Sequence, residues 1–188
     1  MYDKRARVSG MPRAILITAK AAEGPSQVNG SDTLRSCMGR FATGICVVSF
    51  DAPHGHHGLT INSFTSVSLS PALVLVSIGK KARAHESLPG EPFCVNVLGA
   101  EQEEYARRFA GAPTHGEVHW DESGLSPRLF GALAHIDCSP WRTYDGGDHT
   151  LVVGEVESID YRDGDALGYF NGRFVRIDAP TRGIEFLF

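Results

Sequence analysis

The chain has 188 residues, 42% hydrophobic, 21% charged and 9% aromatic; that length and balance favour one globular domain with a full core and exclude disorder. Twenty-one glycines and 10 prolines favour many short strands and tight turns over a helical bundle. A net charge of −4 offers no global basic field to nucleic acid or an anionic membrane, so a phosphate-bearing ligand needs a local site.

Residues 1–30 carry +3, from Lys4, Arg5, Arg7, Arg13 and Lys20 against Asp3 and Glu23, which leaves −7 for 31–188. They are expected to form a flexible or partner-crossing arm ahead of a single domain over 31–188. The apolar run 14–17 is too short for the core of a signal peptide, and no later stretch approaches a membrane span. Ser31 or Asp32 caps a helix that runs to about 41. Gly44 releases a strand over 45–50, rich in β-branched residues, and 51–58 reads as a hairpin loop. A second strand starts at Leu59. Pro71 admits a buried strand over 72–78, and a short helix over 82–88 stops before Pro89 and Gly90. A strand follows at 93–98 and a helix at 101–110, with Arg107 and Arg108 in the last turn where the helix dipole favours them. Strands recur over 132–138, 149–159 and 172–177. The pattern predicts a mainly β protein, a β-barrel with a few helices.

Cys46, Cys94 and Cys138 sit in apolar runs, and no Cys-x-x-Cys pair exists among the four cysteines. Buried free thiols are the expectation, and they fit a reducing, cytoplasmic setting.

Four segments could carry chemistry. In 58–70, Thr60, Asn62, Ser66, Ser68 and Ser70 alternate with apolar Leu59, Ile61, Val67 and Leu69, while Phe64 interrupts the row and predicts a bend near 62–66. Such neutral hydroxyl and amide groups can read the carbonyls and ring nitrogens of a planar heterocycle; the plainer reading is a solvated strand face. Lys80, Lys81 and Arg83, at the start of a short helix, offer three cations to a phosphate or form a solvated basic turn. Asp145-Gly146-Gly147-Asp148-His149-Thr150 opens a strand with a turn that lets backbone approach a ligand, or is a turn alone. His54, His56 and His57 invite a metal, although the loop offers no organised cage. Gly-x-Gly-x-x-Gly and the P-loop are both missing, so a nicotinamide cofactor would not be bound in the Rossmann manner.

In order along the chain stand Met38-Gly39-Arg40-Phe41-Ala42-Thr43-Gly44, Thr60-Ile61-Asn62-Ser63-Phe64-Thr65-Ser66-Val67-Ser68, Phe93-Cys94-Val95-Asn96-Val97-Leu98, Ala132-Leu133-Ala134-His135-Ile136-Asp137-Cys138, Gly146-Gly147-Asp148-His149-Thr150 and Tyr169-Phe170-Asn171-Gly172-Arg173-Phe174. Over residues 34–177 this series resembles the flavin reductase family, the reductase components of two-component flavin-dependent monooxygenases. The resemblance implies a homodimeric split β-barrel of Greek-key type that reduces FMN or FAD with NADH or NADPH and passes reduced flavin to a separate oxygenase component. It assigns Thr43, Thr60, Ile61, Asn62, Ser63, Ser66, Val67, Ser68 and Tyr169 to the flavin, with Lys80, Lys81, Ala82 and Arg83 near its phosphate. Arg40, Phe41, Gly147, Asp148 and His149 would border the nicotinamide, with His149 as the candidate catalytic residue, acting by positioning. Two rivals remain at this point: a flavin-binding barrel without turnover, and a haem or metal barrel built on the histidine loop.

Overall fold

The computed structural model describes residues 30–179. Apart from Gly30, the arm expected over 1–30 lies outside them. In chain order come helix α1 (Ser31–Met38), strands β1 (Thr43–Gly44), β2 (Cys46–Ala52), β3 (Gly55–Ile61), β4 (Thr65–Leu69), β5 (Ala72–Gly79) and β6 (Phe93–Val97), helix α2 (Glu103–Phe109), then β7 (Trp120–Asp121), β8 (Arg128–Leu129), β9 (Ala134–Gly146), β10 (His149–Tyr161), β11 (Ala166–Phe170) and β12 (Arg173–Ile177).

Seven strands form one antiparallel sheet in the order β3-β2-β6-β9-β10-β5-β4. Its two outermost strands, β3 and β4, are consecutive in the chain and joined only by residues 62–64. The four steps from Ile61 to Thr65 span no more than about 14 Å, so the sheet must curl until its edges nearly meet. Ser63 holds that seam: its Oγ donates to the Ser77 carbonyl (3.2 Å) and accepts from the Ser77 amide (3.1 Å) on β5. The bend expected near 62–66 is this corner, followed by a register shift between Ser66 and Ser68. A small sheet, β1-β11-β12, and the β7-β8 pair lie outside the barrel.

The apolar run 45–50 is continuous because β2 is buried on both faces. Cys46, Val48 and Phe50 point into the barrel with Val76, Ile78, Phe93 and Val95. Ile45 and Val47 face a second cluster, with Leu98, Ala106, Leu129 and Leu167, under α2 and the small sheet. Asn96 joins that cluster to the outer loops. Its Nδ2 donates to the Val47 carbonyl (2.9 Å) and Ser49 Oγ (2.7 Å), and its Oδ1 accepts from the Leu129 amide (2.7 Å). Ser49 Oγ in turn donates to the Pro127 carbonyl.

Gly154 sits where the β9–β10 ladder shifts register. A Cβ there would lie 2.6 Å from Phe93 Cζ and 2.7 Å from the Cys138 Cβ, so only glycine lets the bulge close on the core. Cys46, Cys94 and Cys138 are buried and free, as expected, and Cys37 is free and exposed. Burial pushes the Cys46 and Cys138 thiols up to about 12, out of reach of ordinary thiolate chemistry.

Several sequence expectations need correction. The helix from 31 stops at Met38 rather than about 41. The loop expected over 51–58 is mostly strand: β2 and β3 pair through Asp51↔His56 and Ala52↔Gly55, leaving only Pro53 and His54 as the turn. The helix expected over 82–88 is one 3₁₀ turn, Arg83–Glu86. Neither β11 nor the β7-β8 pair stood out in the sequence, and β9 runs eight residues past the expected end at 138. Val67 and Leu69 belong to no buried face: β4 is an edge strand, and they are 50% and 92% exposed.

Candidate functional site

Two neighbouring clefts meet at the corner between β3 and β4. The larger, about 670 Å³, is walled by Arg35 and Met38 of α1, Phe41 and Thr43, the corner residues Asn62, Ser63, Phe64 and Thr65, and Tyr169 and Gly172. Its shape follows from local pairing. Thr43 lies opposite Tyr169 in the β1–β11 ladder, and the Asn171 amide at the β11–β12 turn donates to the Gly39 carbonyl at the end of α1 (2.8 Å). The helix end, β1 and the β11–β12 turn are thereby tied into one wall. Tyr169 is braced by an edge-on contact with Phe174 (centroids 5.7 Å apart), and Arg107 stacks its guanidinium over the Phe174 ring at 5.1 Å.

The smaller cleft, about 210 Å³, shares Asn62 and Ser63 and adds Leu59, Thr60, Ile61, Ser77, Gly79, Ala82 and His149. His149 opens β10 directly after the turn at Gly147 and Asp148, where Gly147 takes φ +80°, as the first central residue of a type II′ hairpin turn requires. It pairs with Gly79 across the β10–β5 ladder, and its Nε2 would lie 3.6 Å from a Cβ placed on Gly79. Its Nδ1 is 2.7 Å from Asp148 Oδ1. The His149 hydrogen bond, with the attraction of the imidazole, holds the Asp148 carboxyl below its ordinary range, and the Arg35 charge adds to this.

Thr43 supplies the clearest sign of a ligand. Its Oγ1 is buried and has no hydrogen-bond partner within the described structure. A buried hydroxyl left unpaired costs about 1–3 kcal/mol, and this one lines the larger cleft. Aromatic Phe41, Phe64 and Tyr169, with neutral amide and hydroxyl groups and one cation, suit a large planar ligand carrying an anionic tail.

Among the residues singled out from the sequence, the clefts unite Phe41, Thr43, Thr60, Ile61, Asn62, Ser63, Ala82, His149 and Tyr169. Thr60 borders the smaller cleft, yet its hydroxyl donates to the Ala106 carbonyl of α2 (2.7 Å). Ser66, Val67 and Ser68 lie on β4, outside both clefts; Ser68 Oγ accepts from the Ser70 amide (3.2 Å). Arg40, Lys81, Arg83, Gly147 and Asp148 are exposed and line neither cleft. Lys80 reaches over to Asp145 (2.8 Å), so its charge is shared with the turn that carries His149. The histidine loop is likewise engaged: His56 lies between Asp51 (2.7 Å) and Glu122 (3.2 Å), and His57 meets Phe50 edge-on. Sequence reasoning assigned no site role to Arg35, Ser77, Met38, Leu59, Phe64, Thr65 or Gly172, all of which line the clefts. Helical spacing could have found the first, since Arg35, Met38 and Gly39 share a face at i, i+3 and i+4.

The comparisons agree with this geometry. The flavin reductase like domain model matches residues 38–178. An NADH-dependent FAD reductase of Streptomyces globisporus is 47% identical over 133 residues, covering 65% of this chain and 72% of its own. The FMN reductase (NADH) SmoA of Agrobacterium fabrum is 38% identical, covering 78% and 86%. The reductase subunit HsaB of a flavin-dependent monooxygenase from Rhodococcus jostii is 36% identical, covering 77% and 76%. Among solved structures, the flavin reductase PheA2 superposes with a TM-score of 0.76 at 38% identity, over 80% of this chain and 99% of its own. With a strongly curled seven-stranded sheet, a cleft at its seam and a family model spanning 38–178, this chain is a split-barrel protein of the flavin reductase-like domain family.

Proposed function

We propose that the chain is an NADH- or NADPH-oxidising flavin reductase that reduces FMN or FAD and releases it to a separate oxygenase component. The observation that carries this reading is the unpartnered Thr43 hydroxyl in a cleft of aromatic and neutral polar groups. The likeness to named NADH-dependent flavin reductases and to a monooxygenase reductase subunit supports it. When bound, a flavin supplies a ring system that accepts hydride from a reduced nicotinamide stacked on it. The protein orients and shields. Thr43, Asn62 and Ser63 would hold the heterocycle's polar edge, Phe41 and Tyr169 would flank its planes, and His149 would hold the nicotinamide from the smaller cleft. None of these groups has to give up a proton during hydride transfer, so preorganisation carries the rate. An NADH and NADPH oxidation assay with FMN and FAD added separately is the direct test. Oxidation that depends on added flavin is expected; flavin binding without turnover would instead leave a binding barrel.

Replacing Thr43 with valine gives a two-sided prediction. The flavin KM should rise about 3- to 10-fold for one lost hydrogen bond. Thermal stability should stay level or increase, because the unpaired hydroxyl of the free protein is gone. A drop in stability with an unchanged KM would show that Thr43 serves the fold alone.

The reading includes a homodimer. Leu69 and Val67 on the free edge of β4, Trp141 and Tyr144 on the β9–β10 hairpin, and Leu34 and Met38 on α1 are 42–92% exposed, apolar surface that a second copy would cover. Light scattering of the purified protein, read as one or two chain masses, decides this. Three buried free thiols favour a reducing compartment such as the cytoplasm, and no helix among the described residues is long and apolar enough to cross a membrane.

A further inference from the structure

We infer that Arg35 is the phosphate-recognising residue of the larger cleft, which rests on the reading of this cleft as a flavin and dinucleotide site. Arg35 is the one charged residue among those that wall it. In the basic cluster that the sequence offers for this task, Lys80 is paired with Asp145, and Lys81 and Arg83 line neither cleft, although Gly79 and Ala82 beside them border the smaller one. Residues 31–188 carry −7, so an anionic ligand approaches against the field unless a local cation offsets it.

The placement of Arg35 suits the role. It stands on the last turns of α1, one helical turn before Met38, with its side chain exposed at the cleft wall. Its charge also helps to hold the Asp148 carboxyl at the β9–β10 turn below its ordinary range. Among the described residues Arg35 and Asp148 form no ion pair; that carboxylate accepts the His149 Nδ1 proton at 2.7 Å. A guanidinium at this point offers a planar fork of donors to the oxygens of a phosphate ester. The flavin and the nicotinamide dinucleotide both bring that group. The larger cleft borders the aromatic walls, and the smaller one holds His149, so Arg35 could meet either tail.

Equilibrium titrations of wild type, Arg35→Gln and Arg35→Lys with FMN, riboflavin and NADH, followed by ligand fluorescence, separate the sources. If Arg35 holds the flavin phosphate, Arg35→Gln weakens FMN about tenfold or more and leaves riboflavin, which lacks the phosphate, unchanged. If it holds the dinucleotide phosphates, NADH weakens by that factor and both flavins keep their affinity. In either case Arg35→Lys retains part of the binding as a point charge. Equal affinities for all three ligands in wild type and Arg35→Gln, within twofold, would overturn the assignment. Failure of the reductase reading looks different: FMN binding would persist and depend on Arg35 while no NADH is oxidised.

Discussion

Replacing Asp137 with alanine is expected to lower the stability of the folded protein by about 3–5 kcal/mol, the cost of removing one partner from a buried ion pair. Asp137 on β9 is fully buried, and its carboxylate accepts from the Arg128 guanidinium and from Ser158 Oγ of β10 (2.7 Å). The Arg128 side chain is only 11% exposed, so the alanine variant would strand a guanidinium among the β8 and β9 backbones. For a domain of this size the loss corresponds to a fall in Tm of roughly 6–20 °C, measurable by thermal or urea denaturation. The double variant Arg128→Met, Asp137→Leu should recover much of it, because no charge is left buried. The pH dependence has a definite sign. Burial pushes the Asp137 carboxyl up, but the hydrogen bonds from Arg128 and Ser158 and the Arg128 charge outweigh burial and hold it below its ordinary value of 3.8. A carboxylate whose folded pKa is depressed stabilises above its unfolded pKa and loses that contribution as pH falls through the folded one. The gap in Tm between wild type and Asp137→Ala should therefore be constant above about pH 5 and shrink below it. A gap that stays constant into acid would mean that the ionised carboxylate contributes nothing.

The sequence made the barrel legible where burial wrote a simple pattern. β2, β5 and β6 read directly as strands because both faces, or one clean alternating face, are apolar: Val74, Val76 and Ile78 alternate inward on β5. The corner at Phe64 was equally plain, since an apolar residue in a polar row breaks a period of two. What escaped was decided by contacts distant in the chain. The outer half of β9, from Ser139 to Gly146, is polar or exposed, and it is strand only because β10 pairs with it across the Gly147 turn. His56 and His57, which composition assigns to a loop, are held in β3 by pairing with Asp51 and Phe50. The polar row in 58–70 does not share one common face. The corner sends Asn62 and Ser63 into the clefts, while the bulge at 66–68 leaves β4 at the sheet edge. Alternation defines a face only within one unbroken strand, so a bent segment shares its residues between two environments.

His149→Ala is expected to raise the KM for the nicotinamide donor about tenfold or more while kcat falls only a few-fold. Because the Asp148 carboxylate can only accept, the 2.7 Å contact puts the shared proton on His149 Nδ1. In the neutral ring Nε2 is then an acceptor. It lies beside Gly79, whose missing side chain leaves the imidazole edge open to the smaller cleft. An acceptor there suits the amide N–H of a carboxamide, and it has no proton to offer to the reacting atoms. Losing such a hydrogen bond would weaken donor binding in the ground state and transition state alike, which appears in KM. Asp148→Ala should show a smaller version of the same change, because the ring keeps its place in β10 but loses the partner that fixes its tautomer. Flavin KM should not move in either variant. Direct NADH titration should reproduce the loss as a higher Kd, since KM equals Kd only when chemistry is slow relative to dissociation. An intact donor KM with kcat reduced a hundredfold or more would reverse the assignment. It would mean that Nε2 carries a proton the reaction uses, and that Asp148 tunes its acidity instead of its aim.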